Sequence, residues 1–142
     1  MDRTERLDAL IALHGQREGP LLPILNEVQA TFGCIDEAAK RYIADAVNLS
    51  RAEVQGVVSF YHDYRAATAT RPVLKICRAE ACQARGVESM LAALGPDVAD
   101  KVEIETVYCL GLCSVGPAAL TQARVVARLN ADRLTALIGE LV

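Results

Sequence analysis

Two cysteine pairs dominate this sequence, Cys77-Arg-Ala-Glu-Ala-Cys82 and, 26 residues later, Cys109-Leu-Gly-Leu-Cys113. Each pair directly follows a short run with β-strand character, residues 73–76 before the first and residues 102–107 before the second. If the two strands lie side by side, their ends bring two loops and four thiols to one place. The spacing therefore predicts a four-thiolate metal centre.

Three interpretations of these cysteines compete. Disulfides are disfavoured because the N-terminus, residues 1–6, is charged and lacks the apolar run of a signal peptide. Structural zinc also takes four thiolates, but its usual sites are built on tighter Cys-x-x-Cys pairs. A [2Fe–2S] cluster suits wider loops, since each iron needs its own pair of sulfurs. The spacing favours the cluster and leaves zinc open.

The residues inside the loops support a cluster. Leu110 and Leu112 are apolar and flank Gly111, so the loop can approach closely and limit the access of water. Because four thiolates make the centre negatively charged, it needs hydrogen-bond donors. We expect the turn around Gly111 and a helix starting after Cys82 to direct backbone N–H groups at sulfur.

Several sequence motifs of this chain resemble those of a known family. The motifs are CRAEACQA at 77–84, YCLGLC at 108–113 and GPAAL at 116–120, with GPLLPIL at 19–25 and NLSRAEVQGVVSFYHDYR at 48–65 upstream. They are similar to the thioredoxin-like [2Fe–2S] ferredoxins, the type of the 24 kDa subunit of respiratory complex I. The similarity is closer still to the gamma subunit of NAD-dependent, molybdenum-containing formate dehydrogenases, and it covers nearly the whole chain.

The resemblance implies a function and a site. Cys77, Cys82, Cys109 and Cys113 would ligate one [2Fe–2S] cluster, and this chain would contain no catalytic residue of its own. Its partner would be a flavoprotein that carries FMN and exchanges hydride with NAD, within a larger oxidoreductase complex. The resemblance also suggests a cis peptide bond before Pro117. The fifth cysteine, Cys34, is interpreted as a small buried thiol outside the site.

Two departures from the family pattern are visible. The stretch between the cysteine pairs is shorter than is usual for the complex I type, which favours the formate dehydrogenase assignment. The equivalent subunit of complex I or of an NAD-linked hydrogenase remains an alternative. Asn26 and Gln55 stand where His is expected in many relatives, which concerns contacts to a partner rather than cluster binding.

The remaining pattern predicts an α+β fold in two domains. Residues 1–67 show helical periodicity over 3–13 and 20–32, after Asp36 and after the capping box Ser50-Arg-Ala-Glu53, and form a small helical bundle. Residues 68–142 are expected to form an α/β domain with a four-stranded sheet, and the family resemblance implies that its fold is thioredoxin-like. Its elements are a strand at 73–76, a helix at 83–94, a strand at 102–107, a hairpin of 118–121 with 124–129, and a last helix capped by Asn130.

Composition and missing motifs exclude several functions. The net charge of −3 argues against nucleic-acid binding, and no apolar run approaches the ~20 residues of a membrane span. We therefore expect a cytoplasmic protein. The chain has no Gly-rich phosphate loop for a nucleotide or flavin, and no Cys-x-x-Cys for thiol–disulfide exchange. These features predict an electron relay within a larger assembly.

Overall fold

The computed structural model describes residues 2–122 and 124–142. The chain divides into two compact units, one ending at Thr68 and the other beginning at Ala69. The first unit contains four helices, and the second contains a sheet with further helices. The observed secondary structure is therefore α+β, as the sequence pattern predicts.

The four helices of the first unit begin and end where short-range signals place them. They are α1 Arg3–His14, α2 Leu21–Phe32, α3 Glu37–Ala46 and α4 Arg51–Phe60. The expected capping box at Ser50 is present, and Asp36 caps α3 by accepting from the Ala39 N–H at 2.8 Å. A further capping box, formed by Asp2 with Glu5, opens α1. Gly33 ends α2 in the left-handed conformation.

The core of the first unit is aliphatic. Its buried members come from all four helices and the turn after Gly33; they are Leu7, Ile24, Leu25, Val28, Ile35, Ala39, Ile43, Ala44, Val54 and Val58. Polar contacts hold the segment that follows α4 against the helices. The Tyr64 hydroxyl donates to the Asn26 carbonyl at 2.7 Å, and the Arg65 N–H donates to the Gln29 side chain at 3.0 Å.

The second unit is built on a mixed four-stranded sheet. The strands are β1 Val73–Cys77, β2 Glu103–Val107, β3 Ala119–Leu120 and β4 Val125–Val126. Their order is β2-β1-β3-β4, with β1 parallel to β2 and the other two pairs antiparallel. The parallel pair matters most for the site, because it places the ends of β1 and β2 next to each other.

The helix expected over 83–94 is wrong as a single element. The structure has α5 Glu80–Ala84, then α6 Val87–Ala92, then α7 Val98–Lys101 ahead of β2. Gly86 separates the first two with a φ of +86°, a conformation that a glycine adopts freely and that ends the helical path. Cys82 therefore lies inside a short helix rather than before a long one.

The last elements complete the core. The expected hairpin pairs Ala119 with Val126, but both strands have only two residues, and Ala123 of its connection lies outside the described residues. Helix α8, Ala131–Leu141, starts at Asn130, whose side chain accepts from the Arg133 N–H. Besides Cys77 and Cys82, the core contains Leu74, Ile76, Val87, Met90, Val102, Ala118, Ala119, Leu129, Leu134, Leu137 and Ile138.

No helix in the described part of the chain combines the length and the apolar character that a membrane span requires.

Candidate metal centre

The ends of β1 and β2 bring the two cysteine loops together. Cys77 is the last residue of β1 and lies in register with Val107, the last residue of β2. The Arg78 N–H donates to the Val107 carbonyl at 2.9 Å, which extends the contact one residue beyond the strands. Cys109 follows two residues later. The side-by-side strand ends that the sequence predicted are therefore present.

The first cysteine pair is buried. Cys77 and Cys82 are each 2% exposed, and both belong to the apolar core of the second unit. The Cys82 N–H donates to the Ala79 carbonyl at 2.9 Å, so the short helix α5 turns the chain back and brings Cys82 into hydrogen-bond contact with Cys77. All five cysteines are free thiols. The first pair thus lies at the inner side of the site.

The second pair is exposed and lies in a tight turn. The sulfurs of Cys109 and Cys113 are 3.6 Å apart, and the Gly111 N–H donates to the Cys109 sulfur at 3.4 Å. Gly111 has a φ of +75°, and Cys109 adopts the same left-handed region with a φ of +74°. A left-handed non-glycine residue is uncommon, and such residues cluster at functional sites. The donor expected from the turn around Gly111 is present.

Backbone N–H groups from both loops converge on Cys77. Burial raises the pKa of the Cys77 thiol. Hydrogen bonds from the Ala79 and Leu110 N–H groups, the Cys82 thiol and the Cys109 N–H together outweigh burial, so the pKa lies below the ordinary value. Because Leu110 and Cys109 belong to the second loop, the Cys77 sulfur accepts hydrogen bonds from both loops. This is the arrangement of donors that a negatively charged centre needs.

Two other thiols show the opposite shift. Burial raises the pKa of Cys82, and its hydrogen bond with Cys77 raises it further. The hydrogen bond and the electrostatic interaction with Cys109 raise the pKa of Cys113. An electrostatic interaction with Cys77 of the first pair also raises it.

Gly116 and Pro117 close the site beside Cys82. A Cβ atom added at Gly116 would lie 3.0 Å from the Cys82 sulfur and 3.5 Å from the Arg85 side chain. A glycine is favoured there because a side chain would crowd the sulfur. The peptide bond between Gly116 and Pro117 is cis, as the family resemblance suggested. The 3₁₀ turn Cys113–Val115 leads directly into this segment.

Arg78 ties the first cysteine loop to its neighbours. Its guanidinium donates to both carboxylate oxygens of Glu88 in α6, at 2.7 and 2.6 Å, and lies 3.5 Å from the Thr106 hydroxyl in β2. Its carbonyl accepts from the Gln83 side chain at 2.7 Å. The hydrogen bond from Arg78 lowers the pKa of Glu88. The loop is therefore fixed to β2 on one side and to the helices on the other.

Apolar residues around the site differ in exposure. Leu110 and Leu112 are half-buried and pack against the core. Beside them, Tyr108 precedes Cys109 and is 75% exposed. The large exposed side chain next to the second pair is thus a tyrosine. The pattern of apolar residues in the sequence does not show that this side chain is exposed.

Residues outside the pairs have structural partners. Cys34 is half-buried and lies 3.6 Å from the Thr68 hydroxyl, in the first unit. Asn26 accepts from Tyr64, and Gln55 accepts from the Lys40 ammonium at 2.6 Å. The two positions where His is expected in relatives are therefore used here for contacts within the helical unit.

Comparison with known proteins identifies the family. The sequence profile of the thioredoxin-like [2Fe–2S] ferredoxins matches residues 7–142. This chain therefore belongs to the thioredoxin-like [2Fe–2S] ferredoxin family.

Individual relatives share between a quarter and a third of their aligned residues with this chain. It is 25% identical over 134 residues to the NADP-reducing hydrogenase subunit HndA of Solidesulfovibrio fructosivorans, covering 88% of this chain and 78% of that protein. It is 30% identical over 106 residues to a subunit of the NADH-quinone oxidoreductase of Aquifex aeolicus (strain VF5), covering 68% of this chain and 66% of that protein.

A solved structure has the same fold. The NAD+-reducing [NiFe]-hydrogenase in its H2-reduced state superposes with a TM-score of 0.68 at 25% identity, over 82% of this chain. The match spans only 22% of the hydrogenase chain, so the fold of this protein forms one part of a longer polypeptide there.

The cofactor of the family is a [2Fe–2S] cluster, and the thiols present here fit it. They are four in number and arranged as two pairs, with backbone donors beside them. Among the described residues, no three or more His, Cys, Asp or Glu side chains are grouped around a point that would hold a single metal ion.

Proposed function

We propose that this chain is a one-electron carrier whose cluster ligands are Cys77, Cys82, Cys109 and Cys113. The observation that carries the proposal is the meeting of two cysteine pairs at the ends of the parallel strands β1 and β2. The backbone N–H groups that reach Cys77 from both loops support it, because they stabilise negative charge on sulfur.

The two cysteine pairs and the leucines beside them have different roles at the site. A bound [2Fe–2S] cluster accepts and releases one electron at a time. The buried pair, Cys77 and Cys82, anchors the site in the core, while the exposed pair, Cys109 and Cys113, keeps one edge near the surface. The half-buried leucines of the second loop restrict the access of water. Such a site relays electrons and makes or breaks no covalent bond of a substrate.

Serine substitutions test the four ligands. Replacing any one of these four cysteines with Ser gives a harder, poorer donor, so we expect loss or marked weakening of the visible absorption and of the iron and acid-labile sulfide content. Wild-type protein, once reduced, is expected to give an electron paramagnetic resonance signal that integrates to about one spin-1/2 centre per chain. Zinc in place of iron and sulfide would establish the alternative of a zinc-stabilised interaction module.

Cys34→Ser provides the matched control. Cys34 lies in the helical unit and contacts Thr68, so its replacement is expected to leave absorption and spin unchanged. Bleaching by Cys34→Ser, together with an intact cluster in any of the other four variants, would show that the ligand assignment is wrong.

We further propose that the chain is the electron-transfer component of an NAD-dependent formate dehydrogenase and exchanges electrons with the FMN of a flavoprotein partner. The support is the resemblance of the motifs at 77–84 and 108–113 and the short 26-residue stretch between the pairs. Relatives named as subunits of an NADP-reducing hydrogenase and of an NADH-quinone oxidoreductase agree with a pyridine-nucleotide-linked complex.

A component of an NAD(P)-reducing hydrogenase, or of complex I, is the second candidate. It is favoured by the match to HndA over 78% of that protein and by the fold of the hydrogenase structure. Purifying the tagged chain from its native cells with its partners separates the candidates. Reduction of the cluster by formate supports the first assignment, reduction by H2 supports the hydrogenase, and reduction by NADH alone supports complex I.

A further inference from the structure

A cationic cleft lies between α3 and α4, in the helical unit and outside the cysteine site. Its volume is about 360 Å³, and its lining residues are Glu37, Lys40, Arg41, Arg51, Ala52 and Gln55. Three of these residues carry positive charge and one carries negative charge, in a chain whose net charge is −3. Positive charge is therefore concentrated here against the overall balance of the molecule.

Lys40 is the buried member of the cleft. Its side chain is 8% exposed, and its ammonium donates to the carboxylate of Glu37 and to the Gln55 carbonyl. Glu37, its charged partner among the described residues, is 75% exposed. An ammonium has three donors, and these two bonds leave the third for another acceptor.

The two arginines of the cleft offer their donors to solvent. Arg41 and Arg51 make no hydrogen bond or ion pair with any of the described residues, and both are exposed. Five fixed N–H donors on each guanidinium suit the oxygens of a planar or tetrahedral oxyanion. Gln55 accepts from Lys40 through its carbonyl, which leaves its amide N–H groups as neutral donors.

We propose that this cleft binds a phosphate group through Lys40, Arg41 and Arg51. A phosphate carries close to two negative charges at neutral pH, which balances the excess of two positive charges among the lining residues. It also offers enough oxygens for several donors at once, whereas a carboxylate offers two. The phosphate can come from inorganic phosphate or from a phosphate ester such as a nucleotide, since both present the same group to the cleft.

Calorimetric titration of the purified, cluster-loaded protein tests the proposal. Sodium phosphate and adenosine monophosphate are the probes, each titrated in chloride buffer at constant ionic strength. We expect saturable binding of at least one probe. Arg41→Gln and Arg51→Gln should each weaken it about tenfold or more, because each removes charge-assisted hydrogen bonds. Comparable affinities would identify free phosphate as sufficient, and preference for the nucleotide would identify a phosphate ester.

Arg17→Gln is the matched control. It removes the same charge from an exposed arginine between α1 and α2 that does not line the cleft, and we expect its affinity to equal that of the wild type. Absence of saturable binding by both probes would overturn the proposal. So would an equal loss in Arg17→Gln, or acetate binding as tightly as phosphate. Thermal unfolding of the three variants, expected to match that of the wild type, checks that each is folded.

Discussion

At the cysteine site, residues with no metal-binding chemistry decide where the sulfurs lie. Gly116 is buried, and a Cβ at this position would meet the Cys82 sulfur at 3.0 Å. This is closer than an ordinary van der Waals contact, so either the sulfur or the backbone must shift. The position of Cys82 therefore depends on the absence of a side chain shortly after the second pair.

Gly116→Ala is expected to disturb the cluster without removing a ligand. Overpacking at a buried position costs about 1–3 kcal/mol of stability, and here the displaced atom is a proposed ligand. We expect a lower cluster content after purification and faster bleaching in the presence of a chelator. The two are measured by the ratio of visible to ultraviolet absorption and by its decay with time.

Gly139→Ala is the control for this substitution. Gly139 lies in α8, and an added Cβ would meet no atom within 4 Å. Because alanine favours the helix by about 1 kcal/mol over glycine, the melting temperature should rise and the cluster content should not change. Equal cluster loss in both alanine variants would contradict the role assigned to the space at Gly116.

The sequence predicted that the two cysteine loops lie next to each other, but only part of the geometry there. The spacing of the cysteines and the β-character before each pair were sufficient to predict that the two cysteine loops lie together. The left-handed backbone of Cys109 and the contact between Gly116 and Cys82 could not be predicted in the same way. They depend on tertiary approach, which local spacing and apolar periodicity do not encode.

Among the helices and strands, local sequence signals predicted where a helix begins better than how far a helix or strand continues. Helix starts at Asp36, Ser50 and Asn130 were predicted because a side-chain oxygen caps each one. The helix over 83–94 was wrong because its apolar spacing continues through Gly86, where the backbone takes a positive φ. The hairpin strands are shorter than predicted, because alternation of residue types does not show how far two strands remain paired.

Asp36 tests the capping of α3 and its dependence on pH. The Ala39 N–H lowers the pKa of Asp36, burial opposes this effect, and the Arg3 guanidinium at 2.7 Å adds to it. A depressed pKa stabilises the fold above the ordinary value of 3.8, and this stabilisation is lost as the pH falls through the folded pKa. Asp36→Ala is therefore expected to cost about 1 kcal/mol near neutral pH and progressively less in acid.

Asp36→Ser separates the cap from the charge. Serine can still accept from the Ala39 N–H, so we expect most of the stability to remain near neutral pH. Without the carboxylate, the acid-dependent part should be missing. Urea unfolding of the wild type and both variants between neutral pH and about pH 3 measures both effects. A constant difference between wild type and Asp36→Ser across that range would show that Asp36 does not titrate as described.

For the molecule as a whole, the exposed edge of the site indicates where a partner protein would meet it. An electron relay needs one side of its cluster close to the donor or acceptor. Cys109 and Cys113 are exposed, and Tyr108 lies beside them with 75% of its surface accessible. Tyrosine is enriched among the residues that contribute most to protein interfaces. Leu110 and Leu112 pack against the core and are poorer candidates for the same role.

Tyr108→Glu is expected to weaken the association with the proposed flavoprotein partner about tenfold or more, because an aromatic anchor buried in an interface contributes about 2 kcal/mol or more. The cluster should remain, since the side chain is mostly exposed. Leu112→Glu should instead reduce cluster content, because a charge would enter a half-buried apolar position. Co-purification of the two proteins and the visible spectrum distinguish the two effects.

Val125→Glu controls for added negative charge on the same unit. Val125 is 51% exposed in β4, at the edge of the sheet opposite β2, and so lies away from the strand that leads to Tyr108. We expect it to leave both the cluster and the association unchanged. If Tyr108→Glu co-purifies as well as the wild type while Val125→Glu does not, the partner meets the sheet at β4. The exposed tyrosine would then serve only to shield the second cysteine loop.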